Sequence, residues 1–218
     1  MVKKDSLYNS RKAFLNLDFS LKDINLGLGY ESNNSTSNID FENIESFKSE
    51  LLNLFLKYES LDMTDVFMPI SFKLFSKYGY GKKRQLNLNT ELKKLKIELE
   101  RKFSVSSRFN INTRFLNERI KSKNLVTNEL LRFGGNNSIR GFDQNSIFAD
   151  NYYLLNTSLN YYLNDTIYIY SLFDFANYEN NLLAIKDNLY AGGFGFSSLT
   201  KNGQISINYA KGTNWGKT

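Results

Sequence analysis

Apolar residues recur at every second position through most of this chain. Leu15, Leu17, Phe19 and Leu21 alternate with Asn16, Asp18 and Ser20, and beyond Lys22-Asp23 the residues Ile24, Leu26, Leu28 and Tyr30 alternate with Asn25, Gly27 and Gly29. A period of two sends successive side chains to opposite faces of a strand, so the two runs predict a β-hairpin turning at Lys22-Asp23. Residues 32–38 are wholly polar and read as a loop. Segments 49–58 and 66–76 predict a second strand pair, the latter weakened by Pro69.

Segment 86–103 is rich in Lys and Glu, which suits a helix, but its spacing refuses one. Leu95, Ile97, Leu99 and Phe103 fall on one parity, while Lys94, Lys96, Glu98, Glu100 and Lys102 fall on the other. That is a strand with one apolar and one charged face. Phe109, Ile111, Thr113 and Phe115 carry the pattern into the next strand, and a long polar stretch follows to about Asp150. Segments 152–163, 166–175, 189–199 and 204–210 complete about eleven strands in a meander, with no helix.

Composition changes the picture in two ways. The 218 residues contain neither Cys nor His, which excludes disulfide frameworks, zinc fingers, thiol catalysis and the serine-histidine triad. Aromatic residues make up 15 % of the chain and Pro occurs once, a balance that favours pleated strands over disordered linkers. The net charge of +6 is spread along alternating faces rather than clustered, so nucleic-acid binding has little support. No run of ~18 apolar residues exists, which excludes a transmembrane helix and leaves a membrane barrel open, since barrel strands need only alternate. The start, Met1-Val2-Lys3-Lys4-Asp5, lacks the apolar stretch of a secretory signal, so either a signal has been removed or the chain is an internal piece.

Two architectures fit the alternation. A soluble β-sandwich or barrel points its apolar face inward, whereas a membrane barrel points it to lipid and lines its lumen with polar side chains. Soluble strands typically run ~5 to 6 residues. Here the alternation persists for longer, and the charged face of 94–102 suits a hydrated lumen, which favours the membrane barrel.

Phe133-Gly134-Gly135-Asn136-Asn137-Ser138-Ile139-Arg140-Gly141-Phe142 resembles the signature of the outer-membrane barrel superfamily that includes BamA, TamA and the two-partner-secretion transporters. Leu172-Phe173-Asp174-Phe175-Ala176-Asn177 is similar to a strand motif of the same superfamily, with Leu172 and Ala176 in place of the usual Phe and Gly. Gly193-Phe194-Gly195 and segment 202–210 resemble its late strands. The resemblance implies that residues of about 118–150 form a loop folded back into the lumen, with Gly134, Gly135, Ser138, Ile139, Arg140, Gly141 and Phe142 at its tip. It also implies a sixteen-stranded barrel closed by a strand with a terminal aromatic residue. Because the chain stops at Trp215-Gly216-Lys217-Thr218, the expectation is a partial barrel without its closing strand and without periplasmic docking domains.

Read without the superfamily, Arg140 in a glycine-rich loop is most simply a solvated charge. Asp174 is less ordinary, because it shares a strand face with Tyr168, Tyr170 and Leu172, opposite Ile169, Phe173 and Phe175. On the lumen side such a carboxylate needs a cation, and Arg140 with its planar fork is the candidate. Gly193, Gly195 and Ser197 share a face opposite Phe194 and Phe196, and small residues facing the lumen leave space for an inserted loop. Gly79-Tyr80-Gly81-Lys82-Lys83-Arg84 lacks the spacing of a phosphate loop and reads as a strand connection, while Asp62 and Asp65 read as an exposed turn.

The expectation is therefore an all-β transmembrane barrel of the bacterial outer membrane with no enzymatic activity, cofactor or metal. It would assist insertion, assembly or translocation of other outer-membrane polypeptides. A two-partner secretion pore is the alternative, and a soluble β-rich binding module remains if the loop resemblance is coincidental. Expected partners are membrane lipid, substrate polypeptides, accessory lipoproteins or a complementary barrel chain, and no nucleic acid.

Overall fold

The computed structural model describes residues 8–37, 44–65, 67–86 and 88–214. Ten long strands form one antiparallel sheet: β1 (Tyr8–Leu21), β2 (Ile24–Ser37), β3 (Phe47–Leu61), β4 (Ile70–Gln85), β5 (Leu88–Ser106), β6 (Phe109–Ser122), β9 (Asn151–Asn164), β10 (Ile167–Asn180), β11 (Ile185–Thr200) and β12 (Gly203–Asn214). The two short strands between them, β7 (Leu131–Phe133) and β8 (Ile147–Ala149), make a separate hairpin. Each long strand pairs with its neighbour in sequence, except that β6 pairs with β9 across the 123–150 segment. Among the described residues β1 pairs only with β2 and β12 only with β11, so the sheet does not close. No described helix is long and apolar enough to cross a membrane, which says nothing of a barrel that crosses with strands.

Parity fixes the two faces. Leu17 at 60 % relative exposure, Phe173 at 50 % and Phe194 at 66 % lie on the outward face, and an apolar groove of about 750 Å³ runs there between Leu159, Ile169, Phe194, Phe196, Ile207 and Tyr209. So large an exposed apolar surface suits acyl chains and not water. The inward face carries charge satisfied in place. Lys94 and Lys77 meet Glu31 at 2.7 and 3.4 Å, Lys73 and Arg114 meet Glu98 at 3.1 and 3.0 Å, and Lys96 meets Glu118 at 2.7 Å.

Several boundaries differ from the sequence expectation, and the reason is shared. Residues 32–37 are not a loop but the end of β2, paired with β1 throughout and with β3 as far as Ser35, because ladder bonds come from the backbone and polar side chains do not oppose them. Gly79 to Arg84 is likewise no connection but the second half of β4, with Gly79 and Lys83 buried inward and Tyr80 exposed outward. The strand expected from 66 begins at Ile70, and β6 runs to Ser122, which shortens the expected 118–150 loop to 123–150. The eleven strands become ten in the sheet and two in the loop hairpin. The ends of the chain that bear on a leader or a closing strand, with Asn38 and Val66, lie outside the described residues.

Candidate functional site

The 123–150 segment lies on the inward face of the sheet. The hairpin registers Leu131 with Ala149, Arg132 with Phe148 and Phe133 with Ile147. Beyond Phe133 the chain turns sharply on Gly134 (φ 116°) and Gly135 (φ 91°), both in the left-handed region that side chains resist. Ser138 N–H donates to the Gly135 carbonyl and Gly135 N–H to the Ile139 carbonyl, each at 3.0 Å, closing a tight tip that drives Ile139 inward. Ile139 is fully buried with Phe133, Ala149, Leu116, Leu154, Ala176 and Ala191. The Phe133 ring stacks on Tyr152 at 4.4 Å between centroids and meets Tyr178 edge-on at 5.7 Å.

The turn that buries Ile139 presents Arg140 to β10. Its backbone N–H and Nε donate to Asp174 Oδ2 at 2.9 and 2.8 Å, and an Nη donates to Oδ1 at 2.5 Å. The Asp174 side chain is fully buried and that of Arg140 only 15 % exposed, so three donors from one residue replace the water this carboxylate has lost. Register explains the fit. Asp174 sits opposite Asn156 on β9 and Ala191 on β11. Asn156 donates to the Ser138 carbonyl at 2.8 Å, and Arg114 on β6 donates to the Asn137 carbonyl at 3.0 Å. Ala191 and Ala176 keep the wall low where the tip lies.

Gly193 and Gly195 do share the inward face, and the atoms nearest to the place a side chain would take at either belong to neighbouring strands and not to the loop. A side chain at Gly195 would collide with the Tyr170 ring, and one at Gly193 with the β12 backbone at Tyr209. The glycine that receives the tip is Gly212 on β12: the Phe142 ring fills the place of its missing side chain, and Gly212 N–H donates to the Gly141 carbonyl at 3.2 Å. Gly141 itself (φ 80°) abuts Lys211 and Gly212 backbone. Gly212, Arg114 and Asn156 were not singled out from sequence, although the parity of the last two already put them on the polar face.

The other half of the segment grips β2 to β6. Asn128 donates to Ser35 Oγ at 2.9 Å and to the Glu45 carbonyl at 2.8 Å, while Leu125 and Leu131 pack on Leu51, Leu92 and Ile120. Lys83 meets Glu129 at 2.7 Å with both side chains buried, and also donates to the Asn124 carbonyl. Burial pushes the Glu129 carboxyl above its ordinary range, and the Lys83 ammonium opposes that rise. Arg132 stacks over Phe148 at 4.6 Å and bonds the Tyr8 hydroxyl of β1. One segment thus touches strands from one free edge of the sheet to the other.

At the opposite end the 62–69 connection keeps the exposed turn expected at Asp62 and Asp65, with Met63 and Thr64 outermost, but aims the two carboxylates at the wall. Both carboxylates reach Lys102 Nζ, at 2.9 and 3.2 Å, and the Lys102 side chain is 3 % exposed. Hydrogen bonds from Thr64 and Lys102 lower the Asp62 pKa from 3.8 to about 2. Among the described residues no group of three or more His, Cys, Asp or Glu side chains is placed to hold a metal ion.

An antiparallel sheet with an apolar outside, a charged inside and a glycine-rich loop held within defines the class: an outer-membrane β-barrel, here in part. The family model of the haemolysin secretion/activation protein ShlB/FhaC/HecB matches residues 23–198, and the chain belongs to this family of the bacterial outer membrane. Among solved structures, CdiB from Acinetobacter baumannii is similar at a TM-score of 0.54 and 16 % identity, a likeness of fold. The match covers 95 % of this chain and 42 % of that one, so the chain spans less than half the length of CdiB. No curated protein matches.

Proposed function

We propose that this chain forms part of a two-partner-type secretion barrel, in which a secreted polypeptide crosses the outer membrane through the lumen and the 123–150 segment occupies that lumen at rest. The observation that carries the reading is Arg140 held on Asp174 inside a charged, ion-paired wall. A solvated interior with a removable occupant suits passage of an unfolded chain, which needs polar walls and no fixed ligand. Family membership supports the secretion alternative over the broader expectation of insertion or assembly of outer-membrane proteins. The loop tip and its wall do no covalent chemistry in this reading; they position the occupant.

The test is release of a co-expressed candidate partner polypeptide into the medium by cells carrying the full-length protein. Release that requires the protein and falls in Arg140→Ala supports secretion. Loss of folded outer-membrane proteins without any effect on release would instead favour the assembly reading.

A further inference from the structure

The connections at the two ends of the sheet are unequal. At one end the links 22–23, 107–108, 165–166 and 201–202 are two residues each, and only 62–69 is long. The 123–150 segment enters from the other end. Short links mark the periplasmic side of bacterial barrels and long ones the exterior. The 62–69 connection therefore stands at the periplasmic side, the entry side in the secretion reading.

This connection does not lie along the rim. Lys102 on β5 donates to Asp62, to Asp65 and to the Met68 carbonyl, the last at 3.1 Å. The Tyr162 hydroxyl of β9 donates to Asp65 at 3.0 Å and accepts from Asn110 of β6 at 2.9 Å. The Phe67 ring meets Tyr168 of β10 edge-on at 4.9 Å and Tyr162 at 6.1 Å. Lys102, Asn110, Tyr162 and Tyr168 all share the inward parity. A link between β3 and β4 thus reaches over β5 and β6 to β9 and β10, with a cavity of about 460 Å³ beside it.

How it is held differs from how the long segment is held. The described backbone hydrogen bonds of the link stay inside it, from Asp62 N–H to the Pro69 carbonyl and from Asp65 N–H to the Asp62 carbonyl. Asp65 also accepts from Phe67 and Met68 N–H at 3.1 and 3.0 Å, so the link keeps its own shape. Among the described residues its attachment to the wall is made by its side chains and one main-chain acceptor, the Met68 carbonyl under Lys102, with no backbone-to-backbone bond to the sheet. By contrast, the 123–150 segment shares main-chain bonds with the sheet at Asp150 and Gly141. Leaving the wall breaks no ladder bond, and a passing chain rich in backbone and polar groups can replace the partners of Lys102 and Tyr162.

We propose that the 62–69 connection is a detachable strap that closes the entry end of the lumen, fastened at Lys102 and by Phe67 between Tyr162 and Tyr168, and displaced by the entering polypeptide. The identity of what enters rests on the secretion reading; the closure itself does not. Because the chain has no cysteine, the strap can be locked chemically. In the full-length protein, Phe67→Cys with Tyr168→Cys is treated, after folding, with a short bifunctional methanethiosulfonate that a reductant reverses. The untreated double variant serves as the folding control.

Two readouts are taken, channel current in planar lipid bilayers and release of the partner polypeptide from cells. The expected results are a cross-link in native membranes, loss of release that returns on reduction, and a rise in channel current in Lys102→Ala. Failure of the pair to cross-link, or a complete cross-link that leaves both release and current unchanged, overturns the strap. If the parent protein releases no polypeptide, the secretion reading fails, and a current that falls on locking and recovers on reduction still supports the closure.

Discussion

Arg140 gives Asp174 three hydrogen bonds, one from its backbone and two from its guanidinium, across a gap of 34 residues in sequence. The backbone bond makes the contact depend on the shape of the loop tip and not only on charge. A lysine at 140 could supply the charge without the fork.

Breaking this pair from one side should cost about 3 kcal/mol, because the partner left behind is a buried carboxylate. Arg140→Ala is expected to expose the 123–150 segment to protease in detergent, and Asp174→Asn to do so less. The double variant should be milder than the sum of the singles, the mark of direct contact. Phe142→Ala, which empties the space over Gly212, should loosen the tip by about 2 kcal/mol without changing that coupling. Additive effects at 140 and 174 would refute the pairing.

The buried Lys83–Glu129 pair predicts a pH effect with a definite sign. Burial already raises the Glu129 carboxyl, and Lys83→Met removes the cation that opposes the rise. A carboxyl whose folded pKa lies above its unfolded value binds more protons when folded, so stability falls as pH rises through the ordinary carboxylate range. Detergent-solubilised Lys83→Met should therefore melt at a lower temperature at pH 8 than at pH 5, by a wider margin than the parent. Equal shifts in the two proteins would contradict this.

Asp62 gives the opposite sign. Its pKa of about 2 is held down first by Thr64, then by Lys102, with Asp65 and Tyr162 sharing the cluster. A depressed folded pKa contributes stability that is complete above the unfolded value of 3.8 and declines as pH falls toward about 2. Protease protection of the 62–69 connection should hold at pH 5 and fade below pH 4. In Asp62→Asn that fading should be weaker. Fading that begins near pH 6 would show that another group controls the connection.

The two faces of β10 and β9 should tolerate charge very differently. Phe173→Arg, in the outward face near the middle of its strand, is expected to cost roughly 2–4 kcal/mol of folding stability in lipid. Ser158→Arg, on the inward face of β9, should cost much less. Refolding into vesicles under urea measures both, and equal penalties would contradict the sidedness.

Period-two spacing was enough to determine most of the strands, their order as a meander and which residues share a face, because a strand's faces follow from chirality alone, while the length of the alternation and the charged face of 94–102 favoured lipid for the apolar parity. Thus Lys94 to Lys102 could be placed inside a barrel with no coordinates, and Asp174 marked as a carboxylate in need of a cation. The sequence also held the glycine-rich tip, whose left-handed turns only Gly134, Gly135 and Gly141 adopt without strain. What it did not carry was depth and distance. Polar residues 32–37 and basic residues 82–84 sit in strands because backbone pairing is blind to side chains once neighbours supply the ladder. The choice of Gly212 over Gly193 and Gly195 as the seat of Phe142 depends on how far the loop reaches around the wall, which no local pattern encodes. Asp62 and Asp65 look like any surface turn until β5 brings Lys102 beneath them from 40 and 37 residues away. Local periodicity sets what each strand can face; only the curved sheet decides which distant residues share the interior.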